Sequence, residues 1–289
     1  MEIVFTKNSE KLSKAIAEKM SFTAYPCNVR RYNGGEISVS LQKTFRDVVV
    51  ITNTITNDDW MELFLLLDAL RDAAKVVLCL PYMGYSRQDK QIPNESFAAR
   101  SLCAMLETLN ISNCIVVDNH SEPMFRISTK HINAHSVFAG DISTKYNPSQ
   151  VTIVSPDVGG ACRAYEIAKS IGAEFIVCNK ERSVFGELKK IAPIGVVAGK
   201  ICVLVDDMVD SGWTLRKASD ALIEAGASSV AAYCTHYTLS AGTLERLEES
   251  RIMEMVFTDT ILNDIPLIPK FRKLSIASLI VDAIRCILQ

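Results

Sequence analysis

The sequence has 289 residues, of which 48% are hydrophobic and 22% are charged, and its formal net charge is -2. That composition is ordinary for an α/β protein with one large core or two smaller ones. It lacks the basic excess of proteins that bind nucleic acids or membrane surfaces. No apolar run reaches the roughly 18–20 residues that cross a bilayer. We therefore expect no nucleic-acid or membrane partner.

The nine cysteines form no CxxC pair and no zinc-spaced cluster with histidine. Several of them lie within apolar runs, such as Cys79 in VVLCLP and Cys202 in KICVLV. Buried free thiols of this kind are typical of a reducing compartment. The N-terminal stretch also lacks the basic, apolar and small-residue regions of a signal peptide. The sequence therefore predicts a cytoplasmic location.

Short apolar runs alternate with helix-length segments along the chain, which is the pattern of βαβ units and a largely parallel sheet. The predicted strands are EIVF, DVVVIT, KVVLCL, NCIVVD, VTIVS, EFIVC, KICVLVD, SVAAYCT and MEMVFT. The predicted helices are Ser9–Met20, Trp60–Ala73, Ser96–Leu109, Gly160–Ser170, Thr214–Ala225, Ser240–Glu249 and Ile276–Leu288. The polar segment Ala139–Gln150 has no clear periodicity, so we expect it to link two α/β halves.

The most informative segment is VLVDDMVDSGWTL, residues 203–215. It places Asp206 and Asp207 at the end of a predicted strand, where open α/β sheets bind their ligands. Gly212 permits a tight turn, and the following helix start favours an anion. An ordinary acidic helix cap is the alternative. Two acids followed by Ser-Gly-x-Thr favour a site in which carboxylates hold sugar hydroxyls and the turn holds a phosphate.

Three other loops carry groups suited to a nucleotide or a metal, although each also has a purely structural interpretation. Arg87, Gln88 and Asp89 combine a cation, an amide and a carboxylate, or else form a solvated turn. His120 follows an apolar strand, where a lone histidine is more often a core residue. Asp157 precedes two glycines and can hold a hard cation, or simply form a Pro-Asp turn.

The acidic loop resembles the phosphoribosyl-pyrophosphate loop of type I phosphoribosyltransferases. Further segments resemble the ribose-phosphate pyrophosphokinase family in order along almost the whole chain. They are PYMGYSRQDK (81–90), VVDNH (116–120), VSPDVGGACRA (154–164), NKER (179–182), THYTLSAG (235–242) and SIASLIVDAIRCI (275–287). The resemblance implies two type I phosphoribosyltransferase-like domains, each with a mainly parallel sheet flanked by helices. We place them at residues 1–139 and 150–275, with the helix at 276–289 packing on the first.

The resemblance also implies a reaction, the Mg²⁺-dependent transfer of the pyrophosphoryl group of ATP to the 1-hydroxyl of ribose 5-phosphate. The residues that it assigns to ATP are Arg87, Gln88, Asp89 and His120, with Tyr32 and Glu36 from a neighbouring subunit of a dimer-based homo-oligomer. Those assigned to ribose phosphate are Asp206, Asp207, Asp210, Ser211, Gly212, Trp213 and Thr214. The catalytic pair is Lys180 and Arg182, and the metal residues are His120 and Asp157.

Four features depart from the commonest members of the family. The chain is shorter, and QIPNESFAARSL after the nucleotide loop resembles the branch that lacks allosteric control by phosphate and ADP. Gly34 stands where the family's nucleotide loop has Asn or Asp, which removes one expected contact. Trp213 stands where a small residue is usual, and it either packs against the protein or stacks on a group attached to the 5-phosphate.

Stacking by Trp213 defines an alternative acceptor, a 5-substituted ribose such as ADP-ribose, which would place the enzyme in NAD rebuilding. A second alternative is a non-catalytic regulatory subunit of a synthetase. The presence of Lys180, Arg182, His120 and Asp157 argues against that role. A plain phosphoribosyltransferase would not need the Arg87-Gln88-Asp89 segment or two linked domains.

Overall fold

A computed structural model of the chain describes residues 1–121, 126–182, 188–238, 240–261 and 268–289, with the backbone alone for residues 180–182 and 188–190. The chain divides into two compact units. The first comprises Met1–Asn133, Thr260–Leu262 and Ser275–Gln289, and the second comprises Ala134–Asp259 and Asn263–Leu274.

The described residues form strands and helices in alternation. The strands are β1 Glu2–Phe5, β2 Ala24–Pro26, β3 Asn28–Arg31, β4 Ile37–Ser40, β5 Asp47–Ile51, β6 Lys75–Leu80, β7 Asn113–Val117, β8 Thr129–Ile132, β9 Val151–Ser155, β10 Glu174–Arg182, β11 Leu188–Ile194, β12 Ile201–Val209, β13 Ser229–Tyr237, β14 Ile252–Thr258 and β15 Phe271–Leu274. The α-helices are α1 Glu10–Met20, α2 Asn57–Ala69, α3 Ala98–Leu106, α4 His135–Lys145, α5 Ala161–Ile171, α6 Trp213–Glu224, α7 Thr243–Glu248 and α8 Ala277–Leu288. Short 3₁₀ turns lie at Lys7–Ser9 and Pro148–Gln150.

The first unit is built on a six-stranded parallel sheet in the order β2-β1-β5-β6-β7-β8. Its central strands are apolar without interruption because helices cover both faces of a parallel sheet. Helices α2 and α3 bury Trp60, Leu63 and Cys103 against alternate residues of these strands. Helix α8 contacts α1, β7 and β8. Strands β3 and β4 form a separate antiparallel hairpin.

The second unit contains a seven-stranded sheet in the order β11-β10-β9-β12-β13-β14-β15. All neighbours are parallel except β11, which returns antiparallel to β10. Helix α6 packs Leu215, Ala218 and Leu222 into the core of this unit. The loops after β9 and β12 therefore emerge side by side at the carboxyl edge of the sheet, where ligands bind in α/β proteins.

All nine predicted strands and all seven predicted helices are present, with boundaries shifted by a few residues. The predicted α/β class with mainly parallel sheets is thereby confirmed. The predicted linker at Ala139–Gln150 is wrong, because α4 continues to Lys145 and buries Phe138 and Ile142 within the second unit. That unit begins at Ala134, ahead of the predicted boundary. None of the described helices is long and apolar enough to cross a membrane.

Candidate functional site

The acidic loop joins β12 to α6 in the second unit. Strand β12 runs further than predicted, because its pairing with β13 continues to Val209, so Asp206 and Asp207 lie within the strand. Asp210 and Ser211 then form a turn, and Gly212 precedes the helix with a φ of 72°. A Cβ atom at Gly212 would lie 3.1 Å from Cδ2 of Leu247. Both facts favour glycine at this position.

Three consecutive backbone carbonyls of this loop face the segment that follows β13. Those of Val209, Asp210 and Ser211 accept hydrogen bonds from Thr238 and from the bracing segment, residues 240–247. The Val209 carbonyl accepts from N and Oγ1 of Thr238 (3.1 and 3.0 Å). The Asp210 carbonyl accepts from N of Ser240 (3.2 Å) and Oγ1 of Thr243 (2.7 Å). The Ser211 carbonyl accepts from Nη1 of Arg246. In a planar trans peptide the N–H points opposite to the C=O. The N–H groups that follow these carbonyls therefore face the other side of the loop.

The start of α6 adds further donors. Its first helical bond runs from Arg216 N to Gly212 O (3.0 Å), so the N–H groups of Trp213, Thr214 and Leu215 precede the helical ladder. Together with the helix dipole they favour an anion. The N-cap residue of the helix is Gly212, so no acidic side chain occupies the cap position. The alternative interpretation as an acidic helix cap is therefore wrong.

Trp213 is 48% exposed, so it does not belong to the core. Its ring lies against two cations, with the guanidinium carbon of Arg246 at 4.5 Å from the ring centroid and that of Arg216 at 5.7 Å. The side chain therefore packs on arginines and keeps much of its surface open beside the turn.

Asp206 and Asp207 are accompanied by a partly buried cation, Arg163. Nη1 of Arg163 lies 3.9 Å from Oδ1 of Asp206 and 3.8 Å from Oδ1 of Asp207. Burial, followed by the charge of Asp207, raises the pKa of Asp206 well above its ordinary value, and Arg163 opposes that rise. Sequence analysis missed Arg163, although it stands in the quoted VSPDVGGACRA segment, three residues after Gly160.

Asp157 lies in the compact turn between β9 and α5. Its backbone carbonyl accepts a hydrogen bond from Ser155 Oγ (2.6 Å), and its Oδ1 accepts one from Gly160 N (3.1 Å). A Cβ atom at Gly160 would come within 2.8 Å of Ser155 Oγ, which explains the glycine. The charge of Asp157 also contributes to the raised pKa of Asp206. The second unit thus brings together Asp157, Arg163 and the Asp206–Asp207 pair.

Lys180 and Arg182 lie near the end of β10, in the antiparallel hairpin with β11. The backbone of Lys180 pairs with Ile191, and that of Arg182 pairs with Leu188. Their side chains fall outside the described residues, so their catalytic role stays a prediction.

The first unit carries a pocket of about 480 Å³ beside the predicted nucleotide loop. It is lined by Ile55, Asn57, Tyr82, Gly84, Tyr85, Arg87 and Gln88. Arg87 and Gln88 are exposed, whereas Asp89 is half-buried and does not line the pocket. Tyr85 adopts a φ of 64°, and its hydroxyl donates to Oδ1 of Asn57. Sequence analysis missed Asn57, which lies outside the quoted segments, and singled out only the polar residues Arg87, Gln88 and Asp89 of the segment that contains Tyr85.

His120 is exposed, just after β7 in the first unit. The turn before it is unusual, since Asp118 has a φ of 40° and the backbone N of Asn119 donates to Nε2 of His131 (3.0 Å). Asp157, the other predicted metal residue, belongs to the second unit. Within the described ranges, no three His, Cys, Asp or Glu side chains gather as a metal-binding group.

Tyr32 and Glu36 flank the tip of the β3–β4 hairpin. Backbone bonds from Tyr32 N to Glu36 O (2.8 Å) and from Gly35 N to Tyr32 O (3.0 Å) close this turn. Both side chains are exposed, and the guanidinium carbon of Arg30 lies 4.9 Å from the Tyr32 ring centroid. A Cβ at Gly34 would meet nothing within 4 Å. Neither Tyr32 nor Glu36 is among the described residues that line the pocket of the same chain.

Comparisons with known proteins agree along the whole length of the chain. Residues 1–109 match the N-terminal domain of ribose phosphate pyrophosphokinase, and residues 178–289 match the phosphoribosyl synthetase-associated domain. The ribose-phosphate pyrophosphokinase of Brucella melitensis is 38% identical to this chain, over 97% of this chain and 95% of the relative. That of Bradyrhizobium diazoefficiens is also 38% identical, over 98% of this chain and 93% of the relative. The crystal structure of phosphoribosylpyrophosphate synthetase from Mycobacterium smegmatis superposes with a TM-score of 0.91 at 29% identity, covering 100% of this chain and 99% of that one. The chain therefore belongs to the ribose-phosphate pyrophosphokinase family of enzymes, whose fold is that of the type I phosphoribosyltransferases.

Proposed function

We propose that the protein transfers the pyrophosphoryl group of ATP to the 1-hydroxyl of ribose 5-phosphate, giving phosphoribosyl pyrophosphate and AMP. The observation that carries this proposal is the acidic loop. Asp206 and Asp207 lie near the end of β12, two residues ahead of a turn. The backbone carbonyls of Asp210 and Ser211 in that turn are hydrogen-bonded to the bracing segment. That arrangement suits a sugar diol followed by a phosphate, which is the shape of ribose 5-phosphate.

In this proposal the second unit holds the sugar. Asp206 and Asp207 accept hydrogen bonds from the ribose 2- and 3-hydroxyls, and Arg163 favours the ionised carboxylates that can do so. The turn at Asp210–Gly212 and the start of α6, including Thr214, hold the 5-phosphate through backbone N–H groups and hydroxyls. The 1-hydroxyl is then free to attack the β-phosphorus.

The first unit would hold ATP. Arg87 and Gln88 line its pocket, and Asp89 and His120 stand on the adjoining loops. Tyr32 would stack on the base and Glu36 would accept a hydrogen bond, both from a neighbouring subunit of a dimer-based homo-oligomer. Support for this sharing comes from the exposed hairpin tip, which does not line the pocket of its own chain.

Mg²⁺ fits the donors that the chain offers. The ion is usually bound through one or two carboxylates plus substrate phosphates, so a single carboxylate such as Asp157 in the second unit suits it. In the first unit, His120 is the candidate metal residue. When bound, the ion would neutralise charge on the transferring phosphates. Lys180 and Arg182, which follow one another closely in β10, would add a point charge and a planar bidentate cation to the same task. Positioning and charge neutralisation carry this kind of transfer.

The test is AMP formation by the purified protein with ATP and Mg²⁺, offering ribose 5-phosphate and ADP-ribose in parallel. We expect turnover with ribose 5-phosphate that stops when EDTA removes the metal. Silence with both acceptors would overturn the proposal and favour a non-catalytic regulatory subunit. Since all nine cysteines are free thiols, seven of them buried, we place the reaction in the reducing cytoplasm.

A second acceptor is favoured by one observation, the exposed ring of Trp213 immediately after Gly212. An aromatic face there can stack on a base carried beyond the 5-phosphate, as in ADP-ribose. Turnover with ADP-ribose alone would establish this alternative and place the enzyme in NAD metabolism. In that case Trp213→Ala should weaken the larger substrate and leave ribose 5-phosphate nearly unaffected.

A further inference from the structure

We infer that Arg246, clamped between the Ser211 carbonyl and the Trp213 ring, is a positioning residue that keeps the 5-phosphate loop in its anion-binding form. This inference rests on the proposed function, because it concerns the binding of ribose 5-phosphate by that loop. Arg246 lies on α7, more than thirty residues after the loop that it holds.

The contacts of Arg246 join two parts of the loop. Its Nη1 donates to the backbone carbonyl of Ser211, and its guanidinium carbon lies 4.5 Å from the centroid of the Trp213 ring. A guanidinium can do both at once because it is planar, donating at its edge while its face stacks on an aromatic ring. Arg246 thus fixes the residues on either side of Gly212.

The Ser211–Gly212 peptide explains why this matters. A trans peptide holds C=O and N–H in opposite directions, so turning the Ser211 carbonyl toward Arg246 turns the Gly212 N–H away from it. Gly212 has the freedom to rotate, since glycine adopts left- and right-handed conformations with similar ease. Without Arg246 the peptide can flip, which would replace an N–H donor by a carbonyl that repels phosphate.

Trp213 completes the clamp. Its ring covers the guanidinium and holds it against the loop, which also explains why a large aromatic side chain remains half-exposed at this position. In this view Trp213 acts through Arg246 and contributes to the binding of any substrate that carries a 5-phosphate.

Arg216 provides a matched control for charge alone. It lies on α6 with its guanidinium carbon 5.7 Å from the Trp213 centroid, and its Nη1 is 3.5 Å from Oε2 of Glu249. It is therefore a second arginine beside the same ring, with its Nη1 paired to a carboxylate.

The experiment measures binding of ribose 5-phosphate and of inorganic phosphate by calorimetry, with steady-state kinetics alongside. Arg246→Met should weaken both ligands by about ten-fold or more, the usual effect of losing a charge-assisted hydrogen bond. The KM for ATP should stay within about two-fold of wild type, and Arg246→Lys should recover part of the loss. Arg216→Met should bind both ligands nearly as wild type does.

Non-additivity tests the clamp itself. If Trp213 acts through Arg246, the double variant Trp213→Ala/Arg246→Met should bind ribose 5-phosphate no worse than Arg246→Met alone. Wild-type affinity in Arg246→Met, or an equal loss in Arg216→Met, would overturn the inference while leaving the proposed function intact. Failure of the wild-type protein to bind ribose 5-phosphate would overturn the proposed function, and the inference with it. Should Arg246→Met fail to fold, Arg246→Lys decides by the same comparison.

Discussion

Arg163 stands between two carboxylates, with its Nη1 atom 3.9 Å from Asp206 Oδ1 and 3.8 Å from Asp207 Oδ1. The side chains are largely shielded from solvent, with 15%, 18% and 7% of their surfaces exposed respectively. Two adjacent carboxylates that lose their water resist ionisation together. Arg163 is the nearby cation that counters this effect, so it controls how well the pair can accept sugar hydroxyls.

Arg163→Met should therefore make ribose binding more sensitive to acid. Removing the cation should raise the pKa of Asp206 further, because burial, Asp207 and Asp157 all act in that direction and Arg163 opposes them. The acid limb of the pH profile of kcat/KM for ribose 5-phosphate should move to higher pH. Arg163→Lys, which keeps the charge, should move it less. An unchanged profile in Arg163→Met would contradict the assignment.

The second unit contains a partly buried ion cluster away from the site. Arg272 donates to both carboxylate oxygens of Asp141 and, through Nε, to Oε1 of Glu254 (2.8 Å), while the Tyr233 hydroxyl donates to Asp141 (2.7 Å). Burial would raise the pKa of Asp141 and Glu254. Hydrogen bonds from Arg272 and Tyr233 lower the pKa of Asp141, and hydrogen bonds from Lys145 and Arg272 lower that of Glu254, so both lie below their ordinary values. The cluster ties α4 to the sheet.

Arg272→Met should lower the free energy of unfolding at neutral pH by about 2 kcal/mol or more, since partly buried Asp141 loses its bidentate partner. Glu254 keeps its ion pair with Lys145. A lowered pKa in the folded state stabilises above the ordinary carboxyl pKa and is lost as pH falls through the folded value. The difference between variant and wild type should therefore shrink below about pH 4. Urea unfolding of variant and wild type at neutral pH and below about pH 4 measures this difference in free energy. A difference that stays constant with pH would refute the assignment.

Gly84 and Gly140 form a matched pair for steric tests. A Cβ at Gly84 would lie 2.0 Å from the Thr54 backbone oxygen, whereas one at Gly140 in α4 would meet nothing within 4 Å. Gly84→Ala should destabilise by about 2 kcal/mol and raise the KM for ATP, because the backbone beside the pocket must shift. Gly140→Ala should stabilise by about 0.5–1 kcal/mol. Thermal melting of both variants measures these changes in stability. A Gly84→Ala variant as stable as wild type would disprove the steric argument.

Sharing of the nucleotide site between subunits can be tested by mixing inactive variants. Tyr32→Ala and Arg87→Ala should each be poorly active alone. In a symmetric dimer, a mixed pair carries both changes at one site and neither at the other. An equal mixture that exchanges subunits should therefore recover about a quarter of wild-type activity. If activity does not return although the subunits exchange, the site is confined to one chain.

The central strands were predictable because they carry continuous apolar runs. The strands that sequence analysis missed in the two large sheets are β2, β8, β11 and β15, the edge strands. Their sequences, AYP, TKHI, LKKIAPI and FRKL, mix apolar residues with lysine, arginine or proline. Such residues are common at edges, where one side of the strand has no partner and further pairing must be discouraged. Local sequence does not distinguish these strands from loops.

The candidate site also has residues that the sequence predicts and residues that it does not. The acids, glycines and hydroxyls of the 5-phosphate loop are contiguous, so one stretch of sequence predicts them. Arg163 and Arg246 are distant from that loop in the sequence. Each becomes part of the site only when a separate helix packs against the loop. Helix α4 was missed for another reason: its polar face and Gly140 weaken the helical pattern, although packing of Phe138 and Ile142 stabilises it.

The return of α8 to the first unit bears on how the protein folds during synthesis. Ile280 and Ile284 are completely buried there, and the elements that α8 contacts all precede the second unit in the chain. The second unit needs no such late segment, since its residues are complete by Leu274. The unit whose synthesis begins first is therefore the one that is completed last, and until residues 277–288 have left the ribosome its α1 face lacks the α8 contacts.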